Sequence, residues 1–146
     1  MKIQPGLSQI RDLDVGTVRR EAIESGFKVF VLPAGIDSRE SFFDAVRKTL
    51  PMDPPIISSR SWDALSDSLW GGLYSVDEDR IVIVWPNSTA LAESAPKDYE
   101  TALSVLKDLV TSLGDRETTQ GRTRSISVIV QPLNEKNTRA EECNSR

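Results

Sequence analysis

With 146 residues, no histidine and a single cysteine, Cys143, the chain lacks the commonest general base, the commonest transition-metal ligand and any internal disulfide. Its 22 acidic and 18 basic residues leave a formal charge of −4, which argues mildly against nucleic acid as a partner and mildly for a cationic one. An apolar fraction of 38% fits one soluble globular domain, and no stretch approaches the roughly eighteen apolar residues that a membrane span needs.

Residues 1–14 begin Met-Lys-Ile-Gln-Pro-Gly, without the apolar run of a secretory signal. Together with the lone cysteine this sets the expectation of a cytoplasmic protein that carries no metal or cofactor. The segment shows no period and reads as a loop or loosely docked arm. Val15 to Ser25 reads as a helix, with Val15, Val18, Ala22 and Ile23 on one side and Gly26 as its stop. Phe27 to Leu32 is an apolar strand ended by Pro33 and Gly35. Asp37 or Ser38 then caps a helix to about Leu50, with Phe42, Phe43, Val46 and Leu50 facing inward. Pro51-Met52-Asp53-Pro54-Pro55 breaks it, because proline cannot continue a helix and biases its predecessor toward extended geometry.

The ordered loop Ile56 to Arg60 leads into a third helix within the stretch Ser58 to Leu73, which Gly71-Gly72 is expected to end. At about 100° per residue, Trp62, Leu65, Leu69 and Leu73 gather on one face of that helix. Asp63, Asp67 and Trp70 fall on another. A lone aspartate is ordinarily solvated surface, and Asp63 in the first turn favours the helix dipole. Asp67 fits that description less well: mid-helix aspartate has poor propensity, and a like charge sits one turn away. An aromatic beside two carboxylates has the character of a contact surface.

Arg80 to Trp85 is continuously apolar after its arginine, as in a strand covered on both sides. Asn87 or Ser88 starts a short helix, and Pro96 opens the longest one, to about Leu113. Its core stripe holds Tyr99, Ala102, Leu103, Leu106, Val110 and Leu113, with Asp108 almost opposite. Asp115 to Arg124 reads as a flexible polar loop, Ser125 to Val130 as the third strand, and 133–146 as a disordered polar tail. Helical connections between buried strands predict an α/β fold: a three-stranded parallel sheet with helices packed around it, plus an extra N-terminal helix. The expected organisation is an arm and helix over 1–26, an α/β domain over 27–132 and the tail.

No Gly-rich phosphate loop and no metal-ligand spacing is present. A hydrolase built on paired carboxylates would need a bound metal or a cleft, and two exposed aspartates on a helix make neither.

The stretch Pro55 to Leu69, with Ser61-Trp62-Asp63-Ala64-Leu65 followed by Asp67 and Leu69, resembles the signature of the barstar family. The strand ending in Trp85 and the run Val105-Leu106-Lys107-Asp108 resemble later parts of that family, so that the likeness covers roughly residues 27–131. The resemblance implies an intracellular inhibitor, not an enzyme, that binds a secreted, basic, guanyl-specific microbial ribonuclease of the barnase type one-to-one and is a monomer when free. It implies that the acidic helix and its preceding loop plug the nuclease site. Asp67 would take the place of the substrate phosphate, and Asp63 and Asp108 would meet basic residues around it.

The chain departs from the family pattern at Ile57, Ser58 and Ser59, where two aromatics and a glycine are usual, and at Ser61, where asparagine is usual. Ser66 and Gly72 stand where the family's best-known member has tryptophan. Trp70, with Ile56, Ile57 and Arg60 around it, is the expected substitute. The candidate partner-binding set is therefore Asp63, Asp67, Asp108, Trp70, Arg60, Ser66, Ile57, Ser59 and Gly71. The alternative reading is a barstar-like interaction module that regulates a partner other than a ribonuclease.

Overall fold

A computed structural model describes residues 3–58 and 60–132; the expected polar tail and Ser59 lie outside the described residues. The elements in chain order are β1 (Gly6–Gln9), α1 (Val15–Glu24), β2 (Lys28–Val31), α2 (Arg39–Thr49), α3 (Trp62–Tyr74), β3 (Arg80–Trp85), α4 (Ser88–Ser94), α5 (Pro96–Leu113) and β4 (Ser125–Val130). The strands form one parallel sheet in the order β1-β4-β3-β2. The sheet thus has four strands, not the three expected.

The extra strand is β1, where a loose arm was expected. An edge strand pairs on one side only, so its backbone hydrogen bonds can hold it where its side chains give no alternating pattern. Gly6 lies opposite Ser127 and Gln9 opposite Val130, and the Ile10 N–H continues the pairing to the Val130 carbonyl at 2.9 Å. Gly6 enters the strand at φ 101°, a conformation that side-chain-bearing residues rarely adopt.

Side chains alternate across a strand, and here the alternation divides the core in two. Ile81, Ile83 and Trp85 of β3, with Ile126, Val128 and Val130 of β4, face a large core shared with α2, α3, α4 and α5. Val82, Val84 and Ile129 face the other way and are covered by Val18 and Ala22 of α1. Burial on both faces is why β3 is apolar without a break. Ile23 is the correction on α1: it is 59% exposed rather than turned to the sheet.

Helix ends follow their capping chemistry. Ser38 caps α2 in a reciprocal arrangement with Ser41, and Pro96 stands in the first turn of α5. The helix α3 passes through Gly71-Gly72 to Tyr74 instead of stopping there. The glycines have a packing role: a β-carbon on Gly71 would overlap the Asp53 carbonyl, and one on Gly72 the Pro51 carbonyl. The 115–124 segment is also more ordered than expected. Its turns are closed by backbone bonds such as Gly121 N–H to Arg116 O at 2.7 Å, and Thr119 and Arg124 are buried. Among the described residues, no helix is long and apolar enough to cross a membrane.

Candidate functional site

The acidic surface is built on α3. Ser61 caps the helix by accepting the Ala64 N–H at 3.0 Å, which fixes where the first turn begins and hence which way Asp63 and Asp67 point. Leu65, Leu69 and Leu73 are fully buried. Trp62 is half-buried against Phe42 and Phe43, with ring centroids 5.8 and 4.9 Å away.

A second side of α3 is closed by the loop between α2 and α3. The Asp53 N–H donates to the Ser68 carbonyl at 2.9 Å, and the Ser68 hydroxyl donates to the Pro54 carbonyl. The loop backbone therefore lies over Ser68, Gly71 and Gly72. Further along, Arg47 donates to the Ser58 carbonyl at 3.4 Å and the Arg60 N–H to the Ser58 hydroxyl at 3.1 Å.

A third side is closed by α5. The Trp70 indole stacks on Tyr74, with centroids 4.8 Å apart and planes 17° from parallel, and its N–H donates to the Ser112 hydroxyl at 2.8 Å. The Tyr74 hydroxyl donates to the Thr119 carbonyl at 2.9 Å, and the guanidinium of Arg122 lies 5.4 Å from the Tyr74 ring centroid. Trp70 is thus a half-buried wall between helices, its one hydrogen-bond donor already engaged.

What remains open on α3 carries Asp63 and Asp67. Both are exposed, as is Asp108 on α5, and among the described residues none of the three has an ion pair or hydrogen bond. Their relative placement follows from the Trp70–Ser112 bond. The helices α3 and α5 each return the chain to the start of one of two parallel strands, so they run in the same sense. Asp67 precedes Trp70 by three residues and Asp108 precedes Ser112 by four, which puts each one turn N-terminal of the bridge, on neighbouring helices.

The other candidates divide. Ile57 is almost wholly exposed and Arg60 is exposed, whereas Ser66 is half-buried. Gly71 is half-buried beneath Asp53, which removes it from the open face. Residues that the sequence reading did not single out are Ser112, Tyr74 and the Asp115–Thr118 turn. Asp108, Ser112, Asp115 and Thr118 share the lining of one open depression at the end of α5. The Thr118 hydroxyl and N–H, at 2.6 and 2.8 Å, hold the Asp115 carboxyl below the ordinary carboxylate range. Two signals for this region were available: an aromatic pair four residues apart at Trp70 and Tyr74, and an aspartate three residues before a threonine. Among the described residues, no cluster of His, Cys, Asp and Glu has the geometry to hold a metal ion.

The geometry defines an all-parallel α/β protein with a carboxylate face between two structured walls. A family model described as Barstar (barnase inhibitor) matches residues 27–124, about two thirds of the chain, and the protein belongs to that family. No curated protein and no solved structure matches the chain. The matched region spans β2 to the turn before β4, so β1 and α1 precede it.

Proposed function

We propose that the protein is a stoichiometric inhibitor of a secreted, basic, guanyl-specific ribonuclease, acting in the cytoplasm and blocking the active site with the open face of α3. The observation that carries this reading is that Asp63 and Asp67 stand exposed and unpaired on a helix whose other sides are packed. A site that cleaves RNA is built to attract phosphate, and rigidly held carboxylates imitate it. Asp67 occupies the phosphate position, with Asp63 and Asp108 meeting basic side chains around it. Opposite charge on the two surfaces also speeds their encounter.

The test is a titration of guanyl-specific ribonucleases with the purified protein while RNA cleavage is followed. Inhibition saturates at one-to-one. Asp67→Ala weakens binding more than any other single change, by about 2–5 kcal/mol, a range to which the barnase–barstar complex itself contributed. Inhibition by Asp67→Ala equal to that of the wild type sinks the assignment of Asp67. The exposed aliphatic Ile57, where relatives carry an aromatic, favours a second reading, a module for a partner that is not a ribonuclease. Failure to bind any ribonuclease in the titration selects it.

A further inference from the structure

Arg124 is 3% exposed, the one buried charged side chain among the described residues. Burying a charge without a counter-charge is costly, and no carboxylate among the described residues pairs with it. Its place in the fold shows what stands in for one. The Arg124 N–H donates to the carbonyl of Leu113, the last residue of α5, at 2.7 Å. Its guanidinium donates to the carbonyl of Tyr74, the last residue of α3, at 3.2 Å, and lies 6.0 Å from the Tyr74 ring centroid. Arg124 therefore joins the C-terminal ends of both helices that carry the acidic face. Those helices run in the same sense, so their negative ends sit side by side and repel. Each end amounts to about half a negative charge, so the two together match one guanidinium.

The Trp70–Ser112 bond also joins α3 to α5, but a single hydrogen bond is a pivot. A second joint at the helix ends removes the pivot and fixes where Asp108 stands relative to Asp67. We propose that Arg124 is the positioning residue of the acidic face, setting the separation of Asp67 and Asp108 from the buried ends of their two helices. Carboxylates already spaced to match their cationic sites need no rearrangement on docking, so more of the contact appears as affinity. That gain in affinity rests on the ribonuclease-inhibitor reading above; the separation itself does not.

The experiment has two arms. In the free protein, nitroxide spin labels are introduced through Asp67→Cys and Asp108→Cys, with Cys143→Ser, and the distance between them is measured. Arg124→Gln and Arg124→Met remove the charge, with and without a donor for the Tyr74 carbonyl, so that one folded neutral variant suffices. In either, the label distance shifts or its distribution widens by about 1–2 Å, the scale of helix shifts at interfaces. Arg124→Lys, which keeps the cation, retains most of the wild-type distance. A label pair within α3, through Asp63→Cys and Asp67→Cys, stays unchanged throughout, which separates repositioning from loss of structure. In the second arm a guanyl-specific ribonuclease is titrated. Arg124→Gln weakens its binding about tenfold, and less than about threefold where Asp108→Ala is already present, because the two changes share one contact. An unchanged label distance between positions 67 and 108 in the neutral variants overturns the proposal, whatever the protein binds. Equal losses from Arg124→Gln with and without Asp108→Ala overturn it as well. A wild type that inhibits no ribonuclease, while the label distance shifts, overturns the ribonuclease reading and leaves Arg124 as the positioning residue.

Discussion

Asp67 is placed against the interest of its own helix. Aspartate is among the poorer helix formers, and Asp63 one turn earlier repels it. Both effects belong to the free protein, so Asp67→Ala separates stability from binding. The variant is expected to be more stable than the wild type by roughly 0.5–1 kcal/mol. Thermal unfolding should show this as a rise of about 2 °C in Tm, in the same variant that is expected to lose affinity for the proposed nuclease partner. A variant that melts below the wild type would mean that Asp67 has a structural partner. Asp63 and Asp67 were legible from the sequence because spacing alone separates their face from the Leu65-Leu69-Leu73 stripe. The fate of Trp70 was not. Its helical position is shared by an exposed anchor and an interhelical wall, and the difference lies in Ser112, more than forty residues on.

At the level of elements, most of the fold was legible because its signals are local. The Pro96 start and Leu113 end of α5, the Ser38 cap of α2 and the whole of β3 and β4 follow from nearby residues. The misreadings share the opposite property. Gly71-Gly72 carries a helix stop signal, and the distant carbonyls of Pro51 and Asp53 explain why glycine sits inside α3 instead. The 115–124 segment is polar in composition, yet Arg124 is only 3% exposed because its guanidinium donates to the Tyr74 carbonyl at 3.2 Å. The strand β1 is held by β4, not by its own sequence pattern. The pair β1-α1 also bears on what counts as the domain. It lies outside the family-matched residues, yet α1 covers the sheet face formed by Val82, Val84 and Ile129. A chain starting at Phe27 should therefore leave that face in water. We expect such a truncation to bind a hydrophobic dye and to lose the cooperative thermal transition of the full chain. A sharp, unshifted transition in the truncated chain would show that 27–132 stands alone.

For the whole molecule, the small excess of negative charge matters through where it is exposed. The net charge of −4 belongs to the full sequence, but Asp63, Asp67 and Asp108 concentrate unpaired carboxylates on two neighbouring helices. Stopped-flow association with a basic nuclease is expected to slow by tenfold or more between low and high salt, with dissociation changing much less. An association rate indifferent to salt would remove electrostatic steering from the mechanism.

The strand order has a consequence in time. The strand β4 lies between β1 and β3, with Gly6 opposite Ser127, so the sheet joins the start of the described chain to its end. On the ribosome, β1 waits for a partner that emerges on the order of ten seconds later. Until then the acidic helix exists as sequence but lacks its finished scaffold, since α5 has no β4 to lead into. Contacts so far apart along the chain raise the contact order, which slows folding in general. The sheet behind the carboxylate face is therefore complete only once the last strand has entered between β1 and β3.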